Sequence, residues 1–291
     1  MILKNKKLEI HLDLPTENYQ LSRFDWTGKL TAVKYQDRLV SGQELASSTA
    51  NTHSGQGFYN EFGITSPLGF EEAKLGSWFH KIGVGLLRKE DDRYDFNKTY
   101  EIQPAEFTVT RAKDSIRLQC RSASINGYAY LLDKKIQLLE TGFRIDYRLE
   151  NTGEKTIATN EYNHNFLAFD QASIGSDYVL KFPFSIRPER FGETVNPEQR
   201  VAIGPQELIF NGTPQQPFFF SNLTGGATVA AHWELLNTKQ RIGITETGSF
   251  KTKAVNVWGV GHVISPELFV ELLVAAGQTK TWSRTYRVYE I

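Results

Sequence analysis

The chain holds a single cysteine, Cys120, so it can close no internal disulfide and build no cysteine-based metal site. Cys120 falls in an alternating run with Ile116 and Leu118 and reads as a small core residue. No apolar run approaches the ~20 residues that a membrane-crossing helix needs. The opening Met-Ile-Leu-Lys-Asn-Lys-Lys is charged and no apolar segment follows it, so the expected compartment is the cytoplasm. Lys plus Arg and Asp plus Glu both number 33. That balance gives nucleic acid or an anionic membrane no electrostatic hold. The six histidines, His11, His53, His80, His164, His232 and His262, show neither i,i+4 nor His-x-His spacing, and no metal is expected. Gly83-Val84-Gly85 lacks the third glycine of a nucleotide loop and reads as a tight strand bend. No Gly-x-Ser-x-Gly elbow supports a serine hydrolase.

What is abundant is aromatic: 19 Phe, 12 Tyr and 5 Trp, a supply that suits β-sheet cores and sugar-stacking surfaces alike. Residues 6–45 read as short strands and turns, followed by a polar loop over 46–64. Alternating runs then recur at 107–110, 115–121, 128–132, 135–140 and 142–150. They resume at 178–186, 218–221, 228–235, 241–245, 253–258, 268–274 and 281–289. Such a series predicts an antiparallel meander in a large all-β sandwich. Only residues 67–75 are a helix candidate, and 187–217, with five prolines, read as an irregular excursion. With no repeat and no linker, one domain over 1–291 is expected.

The densest signal lies just past the middle. Phe143, Ile145, Tyr147 and Leu149 alternate with Arg144, Asp146 and Arg148, the period of a half-buried strand. Asn151-Thr152-Gly153 predicts a turn, with the glycine at positive φ. The return strand delivers Asn160-Glu161-Tyr162-Asn163-His164-Asn165-Phe166. An isolated histidine at a strand end is ordinarily structural. One set among asparagines and aromatics is suited to holding an imidazole at a fixed angle.

These segments resemble the galactose mutarotase (aldose 1-epimerase) superfamily, whose members carry an Asn-Thr-Gly type turn and a return strand ending in Asn-His and an aromatic. The resemblance implies that fold, no cofactor, and His164 as general acid at a sugar's ring oxygen. It also implies a C-terminal glutamate as base on the anomeric hydroxyl. Glu267, reached through Val255-Asn256-Val257-Trp258 and His262, is the best match, and Glu271 is its competitor. The Asn-Arg pair and His-Gly-Gly segment of typical galactose mutarotases are absent, so galactose itself is not implied. Arg23, Glu61, Lys81 and Trp258 are the candidate sugar contacts, and a phosphorylated sugar would require Arg23, Lys81 and Arg88 to converge. Two readings follow: an epimerase acting on a small sugar, or a carbohydrate-binding or regulatory protein without turnover. The geometry between His164 and a glutamate separates them, because binding needs neither acid nor base at the anomeric carbon. Oligomeric state leaves no signature in the sequence.

Overall fold

In a computed structural model, residues 1–46 and 53–291 are described; the part of the polar loop at 47–52 lies outside them. Where runs alternate in the sequence, strands form, and their burial alternates too: in Leu8–Asp13, Leu8, Ile10 and Leu12 are buried while Glu9, His11 and Asp13 face outward. Two large antiparallel sheets dominate. The first orders its strands Ile2–Lys4, Leu8–Asp13, Lys29–Tyr35, Phe58–Phe62, Ile157–Asn165 and Val270–Val274, with Arg38–Leu39 added beside Lys29–Tyr35. The second has ten strands, and at its centre Ile242–Thr252, Thr279–Glu290, Gly142–Asn151 and Tyr130–Leu138 lie side by side.

The two sheets face each other across an aromatic layer, the arrangement of a β-sandwich. Phe58 of the first sheet meets Phe143 and Tyr286 of the second edge-on, with ring centroids 5.2 and 5.0 Å apart. Tyr147 and Trp282 stack at 4.9 Å within the second. A four-stranded sheet containing Val255–Val260 and Val263–Leu268 and a three-stranded one starting at Trp78–Lys81 complete the described structure. Cys120 is fully buried in the core, its sulfur 3.9 Å from the Tyr130 hydroxyl. Gly83 and Gly85 flank the bend between Trp78–Lys81 and Gly85–Arg88, as expected of a hairpin.

Several local expectations change. Residues 67–75 form turns, not a helix, because Gly69 adopts φ +77° and interrupts any helical run. The stretch 187–217 is less irregular than its prolines suggest, since Val201–Ile203 and Glu207–Phe210 extend the ten-stranded sheet. Residues 128–132 and 135–140 merge into one strand, Tyr130–Leu138. The charges between them are sheet residues: Asp133 pairs with Arg117, and Lys134 is buried against Asp25 at 3.2 Å. Gly153 is not at positive φ. It is required because a Cβ there would come within 2.5 Å of the Ala129 backbone nitrogen. Asn151 does close its own turn, accepting from Gly153 N at 3.0 Å.

Candidate functional site

Phe58–Phe62 and Ile157–Asn165 pair antiparallel, with Glu61 opposite Tyr162 and Tyr59 opposite His164. The two-residue period sends neighbours to opposite faces. Asn60, Glu161, Asn163 and Asn165 turn into the sandwich, whereas Tyr59, Glu61, Tyr162 and His164 turn away from it. Thus the asparagines on either side of His164 do not join it. Asn163 donates to the Tyr286 hydroxyl at 2.8 Å, and Asn165 to Glu246 at 2.9 Å and to the Pro266 carbonyl at 2.6 Å.

On the outward face the His164 ring lies parallel to Phe166 at 5.1 Å and takes the edge of Phe24 at 5.6 Å. Its Nε2 is 2.6 Å from the Tyr162 hydroxyl and 3.2 Å from Arg23 Nη2. Its Nδ1 is 3.0 Å from Glu267 Oε1. That contact is close enough for an ion pair but poorly aligned, so Nδ1 makes no hydrogen bond among the described residues. His164 and Glu267 are 6% and 4% exposed, and Nδ1 itself is shielded from solvent. Glu267 sits within Val263–Leu268, and Ser265 Oγ donates to it at 3.3 Å. Glu271 is exposed in Val270–Val274, opposite Asn160, and does not approach the imidazole.

Behind His164 lies a buried charge cluster. Glu61 accepts from the Tyr162 hydroxyl at 2.8 Å, from Arg23 Nε at 3.4 Å and from Lys81 Nζ at 3.3 Å. Burial opposes ionisation of Glu61, but the charges of Lys81, Arg23 and His164 outweigh it and hold the carboxyl below its ordinary range. Burial also lowers Lys81, which Glu61 partly restores, and raises Tyr162 well above the usual phenol value, so its hydroxyl keeps its proton. Arg23 is held from the other side by Glu44 at 2.9 and 3.1 Å and by the His53 carbonyl at 3.0 Å.

The structure therefore brings Arg23, Glu61 and Lys81 to His164, but as a buried support rather than an open rim. Arg88 stays apart, exposed and paired with Glu101 at 2.9 Å, so the three cations do not converge. Trp258 is half-buried, its ring edge-on to Phe166 at 6.3 Å. Tyr162 and Glu44 were not legible as site residues. Tyr162 had a usable signal, since it shares His164's parity two residues away. Among the described residues no three His, Cys, Asp or Glu side chains are grouped as metal ligands, and no helix is long and apolar enough to cross a membrane.

The sequence matches no protein-family model and no curated protein. The fold does match solved structures. A structure described as a candidate aldose 1-epimerase from Escherichia coli K12 is 10% identical with a TM-score of 0.64, over 100% of this chain and 98% of that one. A galactose mutarotase-like protein from Lactobacillus casei is 12% identical, covers 99% of each chain and has a TM-score of 0.62. Another, from Clostridium acetobutylicum, is 10% identical with a TM-score of 0.59, over 99% of this chain and 100% of that one. The chain has the galactose mutarotase-like β-sandwich fold.

Proposed function

We propose that the protein is an aldose 1-epimerase-type isomerase, interconverting the α and β anomers of a small neutral sugar through His164 and Glu267. The observation that carries this reading is the 3.0 Å approach of His164 Nδ1 to Glu267 Oε1, an imidazole nitrogen shielded from water that makes no hydrogen bond among the described residues. The other ring nitrogen is already occupied by Tyr162 and Arg23. A hemiacetal that parted the two side chains would set its ring oxygen against Nδ1 and its C1 hydroxyl against Glu267. Glu267 takes the hydroxyl proton, the C1–O5 bond breaks as C1 becomes a carbonyl, and His164 protonates O5. Rotation about C1–C2 and closure with the two roles reversed yields the other anomer. Each group contributes ~10²–10⁴-fold in such a scheme.

Glu61 then serves His164 from behind. Its ionised carboxyl lies 3.7 Å from Nε2 and accepts from the Tyr162 hydroxyl that also contacts the ring, while Arg23 and Lys81 hold that carboxyl in place. In this reading Arg23, Glu61 and Lys81 position the acid, and Trp258 supplies an apolar face to the sugar. The alternative, a carbohydrate-binding protein without turnover, has one observation in its favour: the two groups touch each other, so a substrate must part them. Polarimetry or saturation-transfer NMR across a panel of free aldoses decides between the two. Accelerated anomerisation that disappears in Glu267→Gln supports the enzyme; binding without acceleration of any aldose supports the alternative.

A further inference from the structure

The outward face of the seven-stranded sheet carries a second polar recess that the His164 cluster does not use. It encloses about 470 Å³, and its polar lining includes Asp13, Thr31, Gln43, Gln56, Gln171 and His262. That volume is within the ~300–1,000 Å³ of small-molecule sites. Asp13 ends the Leu8–Asp13 strand on its outward-facing parity. Its Oδ2 is shielded from water and has no hydrogen-bond partner among the described residues. A carboxylate oxygen in that state is unfavourable unless donors reach it.

The donors nearby are loosely engaged. Gln43 reaches Gln56 at 3.4 Å and Gln56 reaches the Tyr59 hydroxyl at 3.4 Å, both long for hydrogen bonds. Leu39 and Leu45 add an apolar patch, and among the described residues no Lys or Arg lines the recess. An anionic ligand would find no counter-charge there. A divalent cation would find one carboxylate where it needs several oxygen donors of higher charge. A ligand with several hydroxyls and a C–H face can donate to the half-exposed Asp13 carboxylate and engage the amides.

The recess and the His164 cluster are separate. The strands carrying Asp13 and His164 lie three places apart in the sheet, about 14 Å at ~4.8 Å per spacing. Gln43 and Gln56 are bridged at the recess, whereas the carboxylate of Glu44, next to Gln43, turns away to Arg23. We propose that this recess is a second, non-catalytic carbohydrate site that takes one neutral monosaccharide unit, with ligand hydroxyls donating to Asp13. It stands independently of turnover at His164.

Saturation-transfer difference NMR with methyl α-D-glucopyranoside, methyl β-D-galactopyranoside and methyl α-D-mannopyranoside tests it. Methyl glycosides are fixed at C1, so their signals report binding whether or not the protein is an epimerase. At least one is expected to bind the parent and to bind Glu267→Gln equally well. Asp13→Asn and Gln43→Ala are expected to weaken it about tenfold or more at unchanged thermal midpoint. Absence of binding by all three overturns the proposal, as does binding that survives Asp13→Asn but is lost in Glu267→Gln. Preferential binding of methylammonium would assign Asp13 to a cation and overturn it as well.

Discussion

The same two strands, Phe58–Phe62 and Ile157–Asn165, carry a buried ionic network on each face, and the two networks are built to different standards. On the inward face Lys134 is held by Asp25 and Asn60, and Glu161 by Asn60, Trp282 and Arg284. Arg284 also binds Glu246 at 2.5 Å, and Glu246 accepts from the Trp233 indole at 2.8 Å. Every charged group there has a hydrogen-bonded partner, and none of those on Glu161, Glu246 and Arg284 meets water. On the outward face the chain of contacts stops short: Nδ1 of His164 touches a carboxylate without a hydrogen bond. A completed network fixes a packing arrangement; one that ends in an uncommitted proton carrier can do chemistry. Burial separates the networks further. It raises the carboxyl of Glu161 despite Arg284, whereas Glu61 is lowered by its cations despite burial.

The sharpest way to break the contrast is Arg284→Ala, which strands two buried carboxylates. It is expected to cost about 3–5 kcal/mol in a denaturant titration, whatever it does to sugar. His164→Gln should do the reverse, lowering anomerisation about 10²–10⁴-fold by polarimetry with a smaller shift in the denaturation midpoint than Arg284→Ala. Its sequence neighbour gives the matched control. Asn163→Ala removes a donor from the buried Tyr286 hydroxyl and should cost about 1–3 kcal/mol, leaving turnover per folded molecule near parental.

Acid titration should separate Glu61 from Glu161 by sign. Glu61 is lowered on folding, so its contribution is present above its unfolded pKa of ~4.5 and is lost as pH falls through the folded value. Glu161 is raised, so its contribution is present below the unfolded value and is lost as pH rises through the folded one. Glu61→Gln should therefore be less stable than the parent at pH 7 yet lose less on acidification below about pH 4.5, measured as denaturation midpoint against pH. The smallest effect is expected from Trp258→Ala: a KM several-fold higher, equivalent to about 1 kcal/mol of lost ring contact, at nearly unchanged kcat.

Alternation made the sandwich legible, because a strand with one buried face writes its period directly into the sequence. The same period hid the site's composition. Asn163, His164 and Asn165 read as one polar cluster, yet a strand cannot point successive residues the same way, and the asparagines belong to the other network. Lys134 fell between the runs at 128–132 and 135–140 because adjacent charges predict exposure; Asp25 and Asn60, both distant in sequence, make its burial tolerable. His164 and Glu267 could be singled out from motif and order, and they lie 3.0 Å apart. Glu44 was not, since nothing local marks a loop glutamate as the anchor of a distant arginine.

The lone thiol offers a practical use. Cys120 is buried completely, and burial raises its pKa, so in the native state it is both shielded and protonated. A thiol-specific reagent can label the chain only when the second sheet opens around it. Labelling rate thus reports global opening with no engineered tag, and one such assay run on Arg284→Ala, Asn163→Ala and His164→Gln would tell loss of structure from loss of chemistry.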